Sequence, residues 1–235
     1  MRPYQILASL YDQDWGEFTL DYIPFLRQID MLFKLPDKSV LDAACGTGNI
    51  TLLLSTMGCQ VTGFDRSLEM LHWARKKCDA AKTAFFQADM RTFAVKSVFD
   101  FVINTYDSIN YLLNLNEIEQ FFQQVYFALK TNGIFIFDIN TDIAFGYRHI
   151  GSFRREIAGI QFIQKHEFFE DNCIEKTTFY FSDGEEVHWQ RGYKKDVIDE
   201  LLAKSRFLTM NCLKAFRLTP GDENSERLIY VVRKV

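Results

Sequence analysis

Residues 40–49 read Val40-Leu41-Asp42-Ala43-Ala44-Cys45-Gly46-Thr47-Gly48-Asn49, a short apolar run that gives way to small residues and then to a helical pattern. The run Ser39 to Asp42 predicts a strand. Beyond Asn49, the residues Ile50, Leu53, Leu54 and Met57 recur at offsets that share one helix face, and Gly58 is placed to end that helix. Small residues between strand and helix let the chain turn sharply and let a ligand approach its backbone, which a Cβ at position 46 or 48 would obstruct. The helix N-terminus adds unpaired amides and the positive end of a dipole, suited to an anionic group such as a carboxylate.

Working outward, Cys59 to Phe64 reads as a second strand, and Asp65 follows it 17 positions beyond Gly48, where an acidic side chain in such folds accepts hydrogen bonds from ribose hydroxyls. The dinucleotide fingerprint Gly-x-Gly-x-x-Gly is not completed. Read from position 44 it meets Ala44, Gly46 and Asn49; read from position 46 it meets Gly46, Gly48 and Thr51. A nucleoside is therefore expected, without a pyrophosphate lying over the loop.

The alternation continues. Ser67 is a plausible N-cap for a helix with Leu71, Ala74 and Cys78 inward, followed by strands at Ala84 to Gln87 and Phe99 to Asn104. Asn116 with Glu119 makes a capping-box pattern ahead of Ile118, Phe121, Phe122, Val125 and Leu129; Asn132-Gly133 is read as the stop, and Ile134 to Ile139 as the fifth strand. Strands alternating with helices predict an α/β parallel sheet with crossover helices. After Thr141 the rhythm changes: Gln161 to Glu170, Cys173 to Phe181 and Val187 to Tyr193 are β-prone runs separated by turn signals, so three antiparallel strands are expected there. A last helix from Asp196 and strands near Leu208 to Phe216 and Leu228 to Arg233 close the chain. Most of the 23 phenylalanines fall on strand or helix faces and read as core.

Composition bounds the partners. The 235 residues suffice for one domain with an insertion, and 27 Lys plus Arg against 31 Asp plus Glu leave a net charge of −4, which argues weakly against a nucleic-acid partner. Five cysteines with no Cys-x-x-Cys pair suggest neither a disulfide framework nor a zinc site. Met1 to Gly16 lacks the apolar stretch of a secretory signal and no run approaches the ~18 apolar residues of a membrane span, so a cytoplasmic location and no membrane partner are expected.

The segment Val40 to Asn49 with Val61-Thr62-Gly63-Phe64-Asp65 resembles the first two motifs of the class I S-adenosylmethionine-dependent methyltransferases. Gln87-Ala88-Asp89-Met90 is similar to the family's adenine-contacting motif and Phe99 to Asn104 to its fourth strand. Asp107-Ser108-Ile109-Asn110-Tyr111-Leu112, Phe137-Asp138-Ile139-Asn140, Glu186 to Tyr193 and Ser225-Glu226-Arg227 look like the small bacterial YqeM-type group and its sugar and amine N-methyltransferase relatives. Tyr4 and Tyr11 resemble the family's capping segment.

The resemblance covers nearly the whole chain. It implies a Rossmann-like seven-stranded sheet, its last strand antiparallel and helices on both faces, with a small antiparallel sheet inserted after strand five. One domain would span 1–235, with an N-terminal helical cap over 1–35 and the insertion over 141–193 covering an acceptor pocket. The implied cofactor is S-adenosyl-L-methionine, leaving as S-adenosyl-L-homocysteine, with no metal. Its implied contacts are Tyr11, Asp42, Ala43, Ala44, Cys45, Gly46, Gly48, Asp65, Arg66, Met70, Asp89, Met90 and Thr105, where Ala44 stands in place of the usual first glycine.

Methyl transfer is an in-line displacement at a sulfonium, so alignment in a dry pocket and a modest base suffice. Tyr106 and Asp107, following the fourth strand, are expected to face the methyl group, and His188 to act as base or orienting group, since imidazole titrates near neutrality. Asn110, Tyr111 and Arg191 are expected in the acceptor pocket, with Arg191 either binding an acidic acceptor or pairing with Glu186. The function expected is transfer of methyl to nitrogen or oxygen of a small molecule. An RNA or protein methyltransferase on the same fold, or a noncatalytic cofactor-binding module, stays open.

Overall fold

A computed structural model describes residues 1–96, 98–146 and 150–235. Its centre is strand β1 (Ser39–Ala43), flanked by β2 (Gln60–Asp65) and β4 (Phe99–Asn104), both parallel to it. With β3 (Thr83–Gln87), β5 (Leu129–Asn140), β10 (Phe207–Lys214) and β11 (Arg227–Lys234) they form one seven-stranded sheet in the order β10-β11-β5-β4-β1-β2-β3. Strand β11 runs antiparallel to both β5 and β10. The chain moves one way from β1 to β2 and β3 and the other way to β4 and β5. The ends of β1 and β4 therefore flank the point where the winding reverses, where open α/β sheets leave a crevice.

Period-two alternation divides the core. Leu41, Val102, Phe135, Phe137, Tyr230 and Val232 face one side, against α5 (Leu115–Ala128) and α6 (Lys195–Lys204). Val40, Phe101, Ile103, Ile134, Ile136, Ile229 and Val231 face the other, against α2 (Phe18–Phe33) and α3 (Asn49–Thr56). Helix α4 (Leu68–Lys77) follows β2, capped by the Ser67 hydroxyl, which accepts from Met70 N at 3.2 Å. The expected phenylalanine core is present in Phe64, Phe93, Phe121, Phe122, Phe135 and Phe137, while Phe18, Phe127, Phe153 and Phe169 are exposed.

Three expectations change. Helix α5 is capped by Asn114, whose side chain accepts from Glu117 N at 3.0 Å, while Glu117 Oε2 accepts from Leu113 N at 2.8 Å. The chain carries two overlapping Asn-x-x-Glu spacings, and the earlier one wins because Asn114 holds the extended backbone a cap requires. Glu119 instead pairs with Lys204 at 2.8 Å. The same helix ends at Ala128. Asn132, at φ 60, and Gly133 form an irregularity inside β5, between the residues paired with Phe99 and Phe101.

The inserted sheet has four strands rather than three: β6 (Gly151–Ile157), β7 (Ile160–Phe169), β8 (Ile174–Phe181) and β9 (Gly184–Arg191), all antiparallel neighbours. Strand β6 joins β7 through Ala158-Gly159, both at positive φ. That is a tight hairpin without the Asn-Gly or Asp-Gly that would announce it. Positions 147–149 of the expected 141–193 segment lie outside the described residues. Over residues 1–35 the chain forms a short 3-10 turn (Leu7–Ser9), α1 (Tyr11–Asp14) and α2. Leu7 and Leu10 pack on Ile157, Phe162 and Phe179 of the small sheet, and Arg155 pairs with Asp14 at 2.5 Å. Among the described residues no helix is long and apolar enough to cross a membrane.

Candidate active site

The loop after β1 turns through three left-handed residues, Ala44 (φ 56), Gly46 (φ 55) and Gly48 (φ 80). Ala44 holds this conformation although it is not glycine, at a cost of ~1–2 kcal/mol. The two glycines serve different ends. A Cβ on Gly46 would meet nothing within 4 Å and would project into open space, whereas one on Gly48 would stand 3.0 Å from Ala74 Cβ and 3.2 Å from Cys78 Sγ. Gly48 is therefore a packing residue between α3 and α4. Gly48→Ala is expected to destabilise the protein by about 1–3 kcal/mol in a urea titration, the cost of overpacking added to the strained φ. Gly46→Ala should carry the φ strain alone; equal losses at both positions would refute this division.

Beside the loop lies a cavity of about 500 Å³. Ala44, Cys45, Gly46, Asp65, Arg66, Met70, Asp89, Met90, Thr105 and Tyr11 line it, so most of the expected cofactor residues converge. Asp65 Oδ2 accepts from Gly46 N at 2.9 Å and Oδ1 from Ser67 N at 2.8 Å; burial pushes its carboxyl up, against those amides. Asp89 is gripped by Arg91 at both oxygens (2.8 and 2.6 Å), which holds its carboxyl below the ordinary range, and Arg91 reaches on to Glu117 at 2.9 Å. Arg66 is mostly exposed, 3.7 Å from Asp89.

Asp42, Ala43 and Gly48 are not on the cavity wall. Asp42 is buried, accepts from the Thr51 hydroxyl at 2.5 Å, and is pushed up to about 7 by burial; the Ala43 carbonyl accepts from Asn104 Nδ2 at 2.8 Å. Both support the loop from behind. The loop is also tied to the N-terminal segment by Asp12, which accepts from Thr47 Oγ1 at 2.5 Å and Asn49 Nδ2 at 3.0 Å and pairs with Lys77 at 2.5 Å.

A second cavity, of about 280 Å³, opens between residues 4–22, the ends of β4 and β11, and the inner face of the small sheet. Tyr106, Asp107, Tyr111 and His188 line it. Tyr106 (φ 58) and Asp107 (φ 47) are consecutive left-handed residues, a strained corner that aims both side chains. Asp107 accepts from Gln190 Nε2 at 2.5 Å and pairs with Arg227 at 3.1 Å; burial pushes its carboxyl up to about 6 against the pull of that cation. Arg227 is also paired to Asp138, itself 1% exposed. The Tyr22 hydroxyl joins them, donating to Asp138 at 3.1 Å and accepting from Tyr106 N at 3.0 Å.

His188 is buried. Its Nδ1 is 3.0 Å from the Tyr111 hydroxyl, which is 2.6 Å from the Tyr4 hydroxyl, and its Nε2 is 3.6 Å from Glu186. Burial works against Glu186 ionising, yet His188 and the amides of Ile6 and Leu7 hold its carboxyl below the ordinary range. Burial drives the Tyr4 and Tyr111 hydroxyls upward, so both stay protonated.

Asn110 and Arg191 are corrected. Asn110 is fully buried, donating to the Asn140 and Arg191 carbonyls at 2.8 and 2.7 Å and accepting from Asn140 N at 2.9 Å; it pins the turn after β4 to β5 and β9. Arg191 lines neither of these two cavities and makes no ion pair with Glu186. From the other face of β9 it donates to the Leu113 carbonyl at 2.9 Å and stacks over Tyr193. Alternation along β9 explains this: His188 and Gln190 share the inner face, and Arg191 falls on the other. The residues missed by sequence reasoning are Asp12, Asp138, Gln164, His166, Glu175, Gln190 and Arg227. Gln190 had a signal, its two-residue spacing from His188, and Asp138 and Arg227 stood in stretches that carry the family resemblance, with no role assigned; the others meet the site only through tertiary contacts.

Comparison with known proteins shows the family and the fold. The family described as Methyltransferase domain matches residues 40–133. YqeM of Bacillus subtilis (strain 168) is 31% identical over 98% of this chain and 97% of its own. Among solved structures, an S-adenosylmethionine-dependent methyltransferase from Clostridium acetobutylicum ATCC 824 superposes with a TM-score of 0.83 at 24% identity, covering 98% of each chain. CalS10 from Micromonospora echinaspora, an amino pentose methyltransferase solved with its cofactor bound, gives 0.75 at 16% identity over 98% of this chain and 97% of that one. The chain belongs to the class I S-adenosylmethionine-dependent methyltransferases, in the group that includes YqeM. It is a methyl-transferring enzyme with S-adenosylmethionine as its methyl donor.

Proposed function

We propose that the first cavity holds S-adenosylmethionine and the second a small-molecule acceptor, methylated at nitrogen or oxygen, with the 1–35 cap and the 141–193 sheet closing over it. The observation that carries this reading is that Tyr4, Tyr11, Tyr106 and Tyr111 line both cavities, so the two meet at a wall of aromatic rings. Such rings favour a positive sulfur at the junction. A volume of about 500 Å³ suits a nucleoside carrying an amino acid. Gly46, open above its backbone, gives room for close approach, and the α3 N-terminus favours the carboxylate. Asp65 keeps lone pairs on both oxygens for ribose hydroxyls, while Arg91 fixes Asp89 at the adenine end.

Bound there, the cofactor supplies an electrophilic methyl group. Asp107 is the group suited to take the acceptor's proton, being a carboxylate at neutral pH in a pocket that raises its basicity. Tyr106 borders the methyl, held by Thr19 Oγ1 at 2.6 Å, and His188 orients the Tyr111 hydroxyl. The amino pentose acceptor of CalS10 supports a small molecule as substrate class. Asp65→Ala is expected to weaken S-adenosylmethionine binding by about 1.5–3 kcal/mol in calorimetric titration, with no binding of NAD by either protein. An unchanged dissociation constant would remove Asp65 from the site.

A further inference from the structure

The second cavity has a wall that this mechanism does not use. Strands β7 and β8 turn Gln164, His166, Glu175 and Thr177 into it. Behind them Arg155, paired with Asp14, donates to Gln164 Oε1 at 2.9 Å. A guanidinium only donates, so the Gln164 amide must direct its NH2 at His166 Nε2, 2.8 Å away, and that nitrogen accepts. The ring proton then sits on Nδ1 and is donated to Glu175 Oε1 at 2.7 Å. Thr177 Oγ1 lies 3.2 Å from the same oxygen. Both donors fall on Oε1, the ring brings no charge to cancel the carboxylate, and among the described residues none donates to Oε2.

The charge around this carboxylate is one-sided. Arg227 is the cavity's one Lys or Arg among the described residues, and it is already engaged by Asp138 and Asp107. Asp107 and Glu175 therefore leave the cavity with excess negative charge, between the aromatic walls of Tyr4, Tyr11, Trp15 and Phe179. An acceptor bearing a carboxylate or phosphate would meet like charge with no free cation to receive it. A cation on a short apolar stem meets a free carboxylate oxygen and aromatic faces.

We propose that the acceptor is a small diamine, one nitrogen methylated at the Asp107 end and the other, protonated, held by Glu175. This rests on the reading that the second cavity takes the acceptor. The free-base nitrogen uses its lone pair to form the new C–N bond as the methyl–sulfur bond breaks with its electron pair left on sulfur. As the C–N bond forms, one N–H proton of the nitrogen passes to the Asp107 carboxylate. Glu175 takes no part in bond making and sets specificity.

The test is calorimetric titration of the whole chain, saturated with S-adenosylhomocysteine, with two probes of equal length, 1,4-diaminobutane and 4-aminobutanoate. The diamine is expected to bind at least about tenfold more tightly. Glu175→Gln should abolish that preference while the dissociation constant for S-adenosylhomocysteine stays the same, which also reports that the variant is folded. Equal or tighter binding of 4-aminobutanoate, a preference that survives Glu175→Gln, or no binding of either probe would overturn the proposal. Failure of the unaltered chain to bind S-adenosylhomocysteine would instead overturn the two-cavity reading and this proposal with it.

Discussion

Arg227→Met is expected to lower the stability of the protein by about 3–5 kcal/mol, read as a fall in the urea midpoint at constant slope. Arg227 begins β11, and the antiparallel register sets it against Asn140, so its side chain lies over the end of β5. There its guanidinium meets Asp138, Asp107 at 3.1 Å and the Tyr22 hydroxyl at 3.1 Å. Burial works against a charged guanidinium, but Asp138, Tyr22 and Asp107 more than offset it and hold it protonated. Methionine fills similar volume and supplies no charge. Asp138, 1% exposed, and Asp107 would then face each other with no cation between them, and one of them must be protonated or hydrated for the chain to fold. Adding Asp138→Leu to Arg227→Met should recover part of the loss, because the penalty lies in the stranded carboxylate. A single-variant loss under 1 kcal/mol would mean that the network is dispensable.

Asp107→Asn is expected to reduce turnover by ~10²–10⁴-fold on a confirmed acceptor, the range for removing a general base. Asparagine suits the test because Asp107 sits at φ 47 and asparagine tolerates the left-handed region, so the strained corner survives while the charge is lost. Cofactor affinity should hold, since Asp107 lines the second cavity and not the first.

The pH dependence has a defined sign. Burial raises the Asp107 carboxyl from 3.8 to about 6, and the active form is the carboxylate, so turnover should show an acidic limb, falling as pH drops through about 6. Its effect on stability runs the other way: a raised folded-state value favours the native state in acid, and that contribution is lost between 3.8 and about 6 as pH rises. Asp107→Asn should flatten both limbs. Retention of the acidic limb in kcat would assign it to another group.

By itself the sequence determined the strand–loop–helix at Val40 to Asn49, the acidic residue ending the second strand, and the order of the main-sheet strands with the helices between them. These follow from local rules: period two in strands, period 3.6 in helices, and small residues where the backbone must turn. Tertiary structure decided what local rules cannot carry. Gly46 and Gly48 read alike until α4 is packed against one of them. Two Asn-x-x-Glu spacings compete until one asparagine takes the extended backbone. Strand β6, half exposed and joined by an Ala-Gly turn, shows neither alternation nor a turn signal. The second cavity is assembled from residues 4–22, the end of β4, three strands of the small sheet and the start of β11. Asp107 and Arg227 on its wall, and Asp138 behind Arg227, lie up to 120 positions apart in the chain, and no local spacing pairs them. Only the register of β11 on β5 sets Arg227 over Asp138, because a buried cation is stable there only where carboxylates meet it.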